Sequence, residues 1–453
     1  MTISFLTLTI FFLFSSFAFG CTENWAVATC EVILFLGAGI SGFIDKDFIK
    51  WPKKLNIFAL FVAFLILVSL IQLIPFPISF WNVIDKSRIQ MYEDGAKAEE
   101  LLQSEKYRID PFEKSEIPYE SERYSPQLPQ FLTITRTPIA TFRAVIALLS
   151  FFCFILLLED VLRQGNSELR KLALLVGLIG FAIGIIALVE KGIEHRTHIL
   201  WIRESARAQN AFGPFVNANH GEAFINLTFP ILCYLIWRKA KRTRKKMDKA
   251  GMYIFVASML FLQGALVVSG SSRGNFLFLV LLPFYFLLQL GLSKRKVWIL
   301  CSSLLYFTAV ALACLFAIHS GLITDPVRVR MNPNVLTEFN IIGNGLGSFE
   351  SVFPAKIVDW PIFREMRNVF LENEYLQNYF ECGIIGIIGI LIGIFFVVSK
   401  NYIFLKNYGK GFWLSAALLT ELVRVWFDMT FHIFPLAGTL VLIYALIVGK
   451  IRE

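Results

Sequence analysis

Apolar runs of membrane-crossing length follow one another along almost the whole chain, separated by short polar stretches. A helix needs about 20 predominantly apolar residues to cross a bilayer, and roughly a dozen runs reach that scale. The pattern predicts spans at 3–19, 25–43, 55–74, 139–158, 172–189, 214–237, 252–268, 275–290, 297–318, 379–398, 412–429 and 433–448. Helices are the expected form, because a segment in lipid must satisfy its own backbone. The first run ends in Ala18-Phe19-Gly20-Cys21, which loosely resembles a lipoprotein cleavage site. It lacks the charged leading segment of a signal peptide and is read as a retained span.

Two polar interruptions are much longer than the others. They divide the chain into helices one to three (1–74), a first outer loop (75–138), helices four to nine (139–319), a second outer loop (320–378) and helices ten to twelve (379–453). In the first loop, 81–105 has the pattern of an amphipathic helix, and 109–130 is rich in Pro and Ser, as expected of an extended surface segment. A short basic-leaning loop is expected at 159–171, between the fourth and fifth spans. The expected fold class is an all-α membrane protein with about 12 transmembrane helices and two larger outer loops.

Composition agrees with this reading. The 453 residues are 56% hydrophobic, include 46 Phe and have a mean hydropathy of +0.63. The formal charge of +9 does not indicate a nucleic-acid partner, because the Lys and Arg excess lies in short loops between spans. The strongest run, Arg238-Lys239-Ala240-Lys241-Arg242-Thr243-Arg244-Lys245-Lys246, is read as a cytoplasmic topology anchor. With the basic loops cytoplasmic, about 23 Lys and Arg face the cytoplasm against about 6 in the short outer connections, and both termini are cytoplasmic. The seven Cys are scattered without CxxC or metal-ligand spacing. They read as small core residues, indicating neither a disulfide framework nor a metal site.

That orientation gathers polar residues on one face. Arg203, Arg207, Asn217, Asn219, His220, Arg273, Arg328, Arg330, Glu372 and Asp428 all fall in outer loops or at outer span ends. The second outer loop also carries the glycine run 343–349, Arg364, Arg367, and Glu372-Asn373-Glu374-Tyr375-Leu376-Gln377 before the next span. Glu421, Arg424 and Asp428 share one helix face, where Arg424 can pair with either acid. Ionisable residues in or near spans are costly, so their default reading is functional. Arg binds diphosphate oxygens in fork geometry and stabilises a diphosphate as it leaves. A carboxylate nearby suits removal of a proton from an attacking hydroxyl. Each group also has a plain structural reading. Glu372 can cap the following helix and Arg273 can snorkel at a helix end. Asn217, Asn219 and His220 can cap or bridge the sixth span, and Arg424 with Asp428 can form an intramembrane pair. The spacing Gly343-x-Gly345 lacks the strand–helix context of a dinucleotide site.

Three short motifs in order resemble the O-antigen ligase and O-antigen polymerase superfamily. They are Gly213-Pro214-Phe215-Val216-Asn217-Ala218-Asn219-His220, the turn Ser269-Gly270-Ser271-Ser272-Arg273-Gly274, and the run 343–349 with Asn373-x-Tyr375-Leu376-Gln377 and Glu381-x-Gly383-Ile384-Ile385-Gly386. Further similarity lies in Ile71-Gln72-Leu73-Ile74-Pro75-Phe76-Pro77 and in Asp428. The resemblance implies a GT-C-like fold in the bacterial inner membrane with periplasmic outer loops. It implies inverting, metal-independent and cofactor-free transfer of a glycan from an undecaprenyl diphosphate carrier to an acceptor hydroxyl. The acceptor is left open among a glycolipid (ligase), a growing glycan (polymerase) and a protein. Glu372 and Asn373 fall at the catalytic positions, with Glu372 where the family commonly has His, and Glu374 where it often has Asp. Arg273 and one of Arg328 or Arg330 match its diphosphate-binding arginines, with Arg203 or Arg207 as further candidates. A reading from another class is a transporter or flippase for lipid-linked glycans, which would favour an internal repeat and charges at mid-membrane depth.

Overall fold

The computed structural model describes residues 2–84, 89, 93, 129–193, 197–205, 208–242, 341–353, 373–407, 412–425 and 429–451. The runs expected at 252–268, 275–290 and 297–318 lie outside the described residues. The described helices are α1 Ile3–Phe17, α2 Asn24–Ile44, α3 Asn56–Gln72, α4 Ile78–Ile84, α5 Pro138–Gln164, α6 Asn166–Lys191, α7 Ala218–Arg242, the single turn α8 Phe349–Val352, α9 Glu374–Asn407, α10 Phe412–Arg424 and α11 Phe434–Ile451. Each other expected run holds one of them, but α10 ends at Arg424, short of the expected 429, so the helix face expected to join Glu421 and Arg424 to Asp428 extends only to Arg424 among the described residues. Four helices, α2, α5, α6 and the Glu374–Leu405 part of α9, are long and apolar enough to cross a membrane. Much of their length turns large apolar side chains outward, among them Leu36, Phe43, Leu178, Leu391 and Phe395, as a lipid environment requires.

Local signals account for the helix ends. Thr2 caps α1 by accepting the Phe5 N–H, and Pro138 opens α5, where its missing N–H costs no helical bond. The loop expected at 159–171 is not a loop. Both helices run through it and are parted by Gly165 alone, at φ +128°. The charges that mimicked a loop have work inside the bundle. Glu159, 1% exposed, accepts the N–H groups of Lys53 (3.2 Å), Lys54 (3.1 Å) and Leu55 (2.9 Å). These are donors at the start of α3 that the helix cannot satisfy itself. Arg163 donates to the Asp47 and Lys50 carbonyls at 2.8 and 3.0 Å.

The core is aromatic at its centre. Phe11 stands 5.3 Å from Phe12 and 5.2 Å from Phe154, ring to ring, with Phe434 of α11 against the same group. Gly177 and Gly180 let α7 close on α6, with Leu232 and Thr228 where a side chain would otherwise stand. One end of the bundle holds both chain ends: Thr2 donates to Gln164 (2.9 Å) and Asn166 donates to the Gly449 carbonyl (3.3 Å). Toward the other end, Pro75–Pro77 (β1) pairs antiparallel with Phe131–Thr133 (β2). His198–Ile199 (β3) pairs with Arg203–Glu204 (β4). The segment between α3 and α5 is thus clasped where it leaves and rejoins the bundle, and α4 overlaps the start of the helix expected at 81–105.

Glu159→Ala is expected to lower stability by about 2 kcal/mol by stranding the buried Leu55 N–H and weakening two less buried ones, read as a lower thermal midpoint in detergent. Arg163→Ala, which removes two exposed hydrogen bonds and a long 3.9 Å contact to Glu159, should shift the midpoint less.

Candidate functional site

The site is built on a break in α9. Gly383 has φ 66° and ψ −157°, conformations foreign to a helix, so the helix hydrogen-bond ladder is interrupted there. The Phe380 carbonyl accepts the Asn344 N–H and the Asn344 side-chain amide, both at 3.0 Å. The Glu381 carbonyl accepts the Gly345 N–H (3.0 Å) and the Gln72 amide (2.8 Å). Gln72, fully buried at the end of α3, also donates to the Ile342 carbonyl (2.7 Å) and accepts the Leu346 N–H (3.0 Å). The glycine run is thereby explained by contact. A Cβ on Gly343 would lie 2.1 Å from the Glu381 carbonyl oxygen, and one on Gly345 would lie 2.0 Å from the Thr135 hydroxyl. The run clamps a broken helix.

Above the break, Glu374, Gln377 and Glu381 fall three and four residues apart on one face of α9. The buried Glu381 carboxylate accepts the Gly347 N–H (2.9 Å), the Phe349 N–H (3.4 Å) and the Gln377 amide (3.2 Å). Glu374 accepts the Phe431 N–H (2.7 Å) and reaches His432 Nδ1 at 3.1 Å. Gln377 Nε2 lies 3.5 Å from His432 Nε2. The Glu374 side chain is 5% exposed and that of His432 31%, so a buried acid holds a ring that reaches the surface. Desolvation works against charging this ring, but the charge and hydrogen bond of Glu374, with Glu381 behind it, outweigh that and raise its pKa from 6.5 to about 9.

The same corner joins two further helices. The Glu374 N–H meets the Val425 carbonyl (3.0 Å) and the Tyr375 hydroxyl meets that of Leu422 (2.8 Å). Glu421 accepts the Thr430 hydroxyl. Arg424 donates to the Asn219 carbonyl in the first turn of α7.

The structure thus brings together Glu374, Arg424 and Asn219 from the residues singled out in the sequence. Asn217 has the capping role: its side chain accepts the Asn219 N–H (3.0 Å) and its carbonyl the His220 N–H (3.1 Å). His220 is buried in that turn, 3% exposed. Asn373 caps α9 by accepting the Leu376 N–H (3.0 Å). Its side-chain nitrogen and the Ser348 hydroxyl, both buried, have no hydrogen-bond partner among the described residues. Arg203 stands apart. It pairs with Glu23 at 2.7 Å and lies 5.0 Å over the Phe19 ring, tying the β3–β4 hairpin to the turn between α1 and α2. Glu372, Arg207, Arg273, Arg328, Arg330 and Asp428 lie outside the described residues. Sequence reasoning missed His432 and the part played by Glu381. The signal that points to both is an ionisable group within or against a span.

Comparison with protein families, characterised proteins and solved structures gives no match. The chemistry of the site therefore stands on its own residues.

A raised folded-state pKa stabilises fully below the unfolded value of 6.5, and the contribution fades as pH rises through about 9. The thermal midpoint of the wild type should exceed that of His432→Gln most at about pH 6, and the gap should close by about pH 10. A gap that widens with pH would show that the ring is held neutral.

Proposed function

We propose that this protein transfers a glycan from a polyprenyl diphosphate carrier to an acceptor hydroxyl at the outer face of the membrane. The observation that supports this reading best is the corner where Glu374, Gln377, Glu381 and His432 meet the glycine run, at one end of a membrane bundle. A carrier lipid keeps its chain among the helices there while its head group reaches the surface.

In this reading the acceptor oxygen attacks the anomeric carbon, the bond from that carbon to the diphosphate oxygen breaks, and Glu372 takes the hydroxyl proton. Arg273 and one of Arg328 or Arg330 stabilise the charge that grows on the departing diphosphate. A His432 ring that keeps its proton up to about pH 9 is a donor at neutral pH. It belongs on the diphosphate side of the reaction, with Glu374 holding its orientation. The full set of about twelve spans, the GT-C-like fold, the inner-membrane location with cytoplasmic termini and the metal independence belong to the same proposal, as does the O-antigen ligase or polymerase relationship that the motifs suggest.

The broken helix α9 favours a second reading, because transporters build binding sites at such breaks. Against it, the carbonyls around this break are engaged by Asn344, Gly345 and Gln72.

Purified protein in nanodiscs, with a chelator present, should move a carrier-linked glycan to an added acceptor. Glu372→Gln should slow turnover about 100-fold or more with donor binding retained, and Arg273→Ala about 100-fold. His432→Gln should slow it less and remove the fall in rate above about pH 9. Donor binding without transfer to any acceptor would shift the assignment to the transporter.

A further inference from the structure

We propose that Cys21 and Cys30 are a disulfide-forming pair that staples the turn between α1 and α2. The two Sγ atoms stand 3.3 Å apart, and the residues are 1% and 0% exposed. A disulfide needs its sulfurs at about 2.05 Å, so a small approach of two neighbouring side chains closes the bond. Nothing in the spacing of the cysteines announces the pair, because Cys30 lies within α2 and Cys21 in the turn before it.

The turn is one that profits from a covalent tie. Phe19, Gly20 and Cys21 take φ values of 54°, 68° and 57° in succession. Two of these are side-chain-bearing residues in a region they rarely visit, which persists only where surroundings enforce it. The Phe215 ring fills the space beside Gly20, with Cδ1 2.4 Å from where a Cβ would stand. Arg203 covers Phe19 and grips Glu23. The same turn therefore props the segment that leads through Asn217 to Asn219 and Arg424. A bond between the sulfurs would fix the turn and, through Phe215, the first turn of α7 at the candidate site. Its gain would come from confining the unfolded chain.

Oxidation requires this turn to face the oxidising side of the membrane, which is the orientation of the proposed function. The reaction is thiol–disulfide exchange. An organic disulfide, such as that of a dithiol oxidase in that compartment, accepts two electrons and two protons and leaves as two thiols. Cys21 and Cys30 each lose one hydrogen and join. Because both sulfurs are buried in the finished bundle, exchange precedes the packing of Phe215 and α11 against the turn.

The test uses the full-length protein, blocked with N-ethylmaleimide under denaturing conditions and digested with trypsin. No Lys or Arg precedes Lys46, so one peptide, 1–46, carries both cysteines. It should be unalkylated and about 2 Da lighter than its dithiol form, and should take up two alkyl groups only after reduction. Reductant should also lower the thermal midpoint of the wild type and leave that of the Cys21→Ser, Cys30→Ser double variant unmoved. A peptide doubly alkylated without reductant overturns the staple. To separate this from a wrong orientation, Thr22→Cys in the double variant is probed with an impermeant maleimide on spheroplasts. Labelling from outside together with free wild-type thiols overturns the staple alone. Labelling only after lysis overturns the orientation, and with it both the staple and the outer-face transfer. A protein that forms the bond but transfers nothing keeps the staple and loses the transferase.

Discussion

A broken helix inside a membrane bundle must have its freed carbonyls satisfied from within, because lipid offers no donor. Each buried carbonyl left unpaired would cost about 1–3 kcal/mol. At Gly383 the donors come from two distant places, Gln72 at the end of α3 and the loop that carries Asn344 and Gly345. This one requirement fixes the register of three elements. It explains why Gln72 is fully buried, why residues 343 and 345 are glycine, and why the loop ends of β1 and β2 lie beside them. Thr135, just after β2, donates its N–H to the Gln72 carbonyl at 2.8 Å, and Arg136 donates its own to that of Asn344 at 2.9 Å.

With the break held, the first two turns of α9 become a rigid post with one polar face. Glu381 then serves the loop by accepting two of its backbone N–H groups, while Glu374 serves the segment before α11 through Phe431 and His432. Gln377 lies between the two acids and contacts both sides. The arrangement places charge where the bundle meets water and keeps each buried acid supplied with donors, as burial of a carboxylate demands. The same elements reach α7 through Arg424 and Asn219.

Much of the scaffold could be read directly from the chain. Apolar runs located the long helices among the described residues, since crossing lipid demands long uninterrupted apolar stretches and little else in a sequence imitates them. The misreading at 159–171 has a specific cause. Glu159, Arg163, Glu168 and Arg170 look like loop residues, yet the first two satisfy neighbouring backbone at the bundle end, and a helix can carry charge wherever partners or water meet it. The glycine run and Glu374 were marked as special by type and spacing. Their partners were not, because the contacts that define them join residues 32 to 274 positions apart.

The sequence by itself determined that this is a helical protein fitted to a bilayer, and it marked one stretch, 320–378, as unlike the spans around it. It also singled out polar residues there, Glu374 among them, without showing what they touch. Only the tertiary structure decided which of them meet. His432 is an isolated ring in the sequence, and it becomes paired with Glu374, 58 residues away, because α9 and the start of α11 pack side by side. Arg203, of a type suited to bind phosphate, is drawn to Glu23, 180 residues away. Cys21 and Cys30, unremarkable in spacing, come into contact through a left-handed turn. Hydrophobic periodicity is a local property and is written along the chain, whereas the pairing of polar groups depends on which helix faces are buried together, and packing alone settles that.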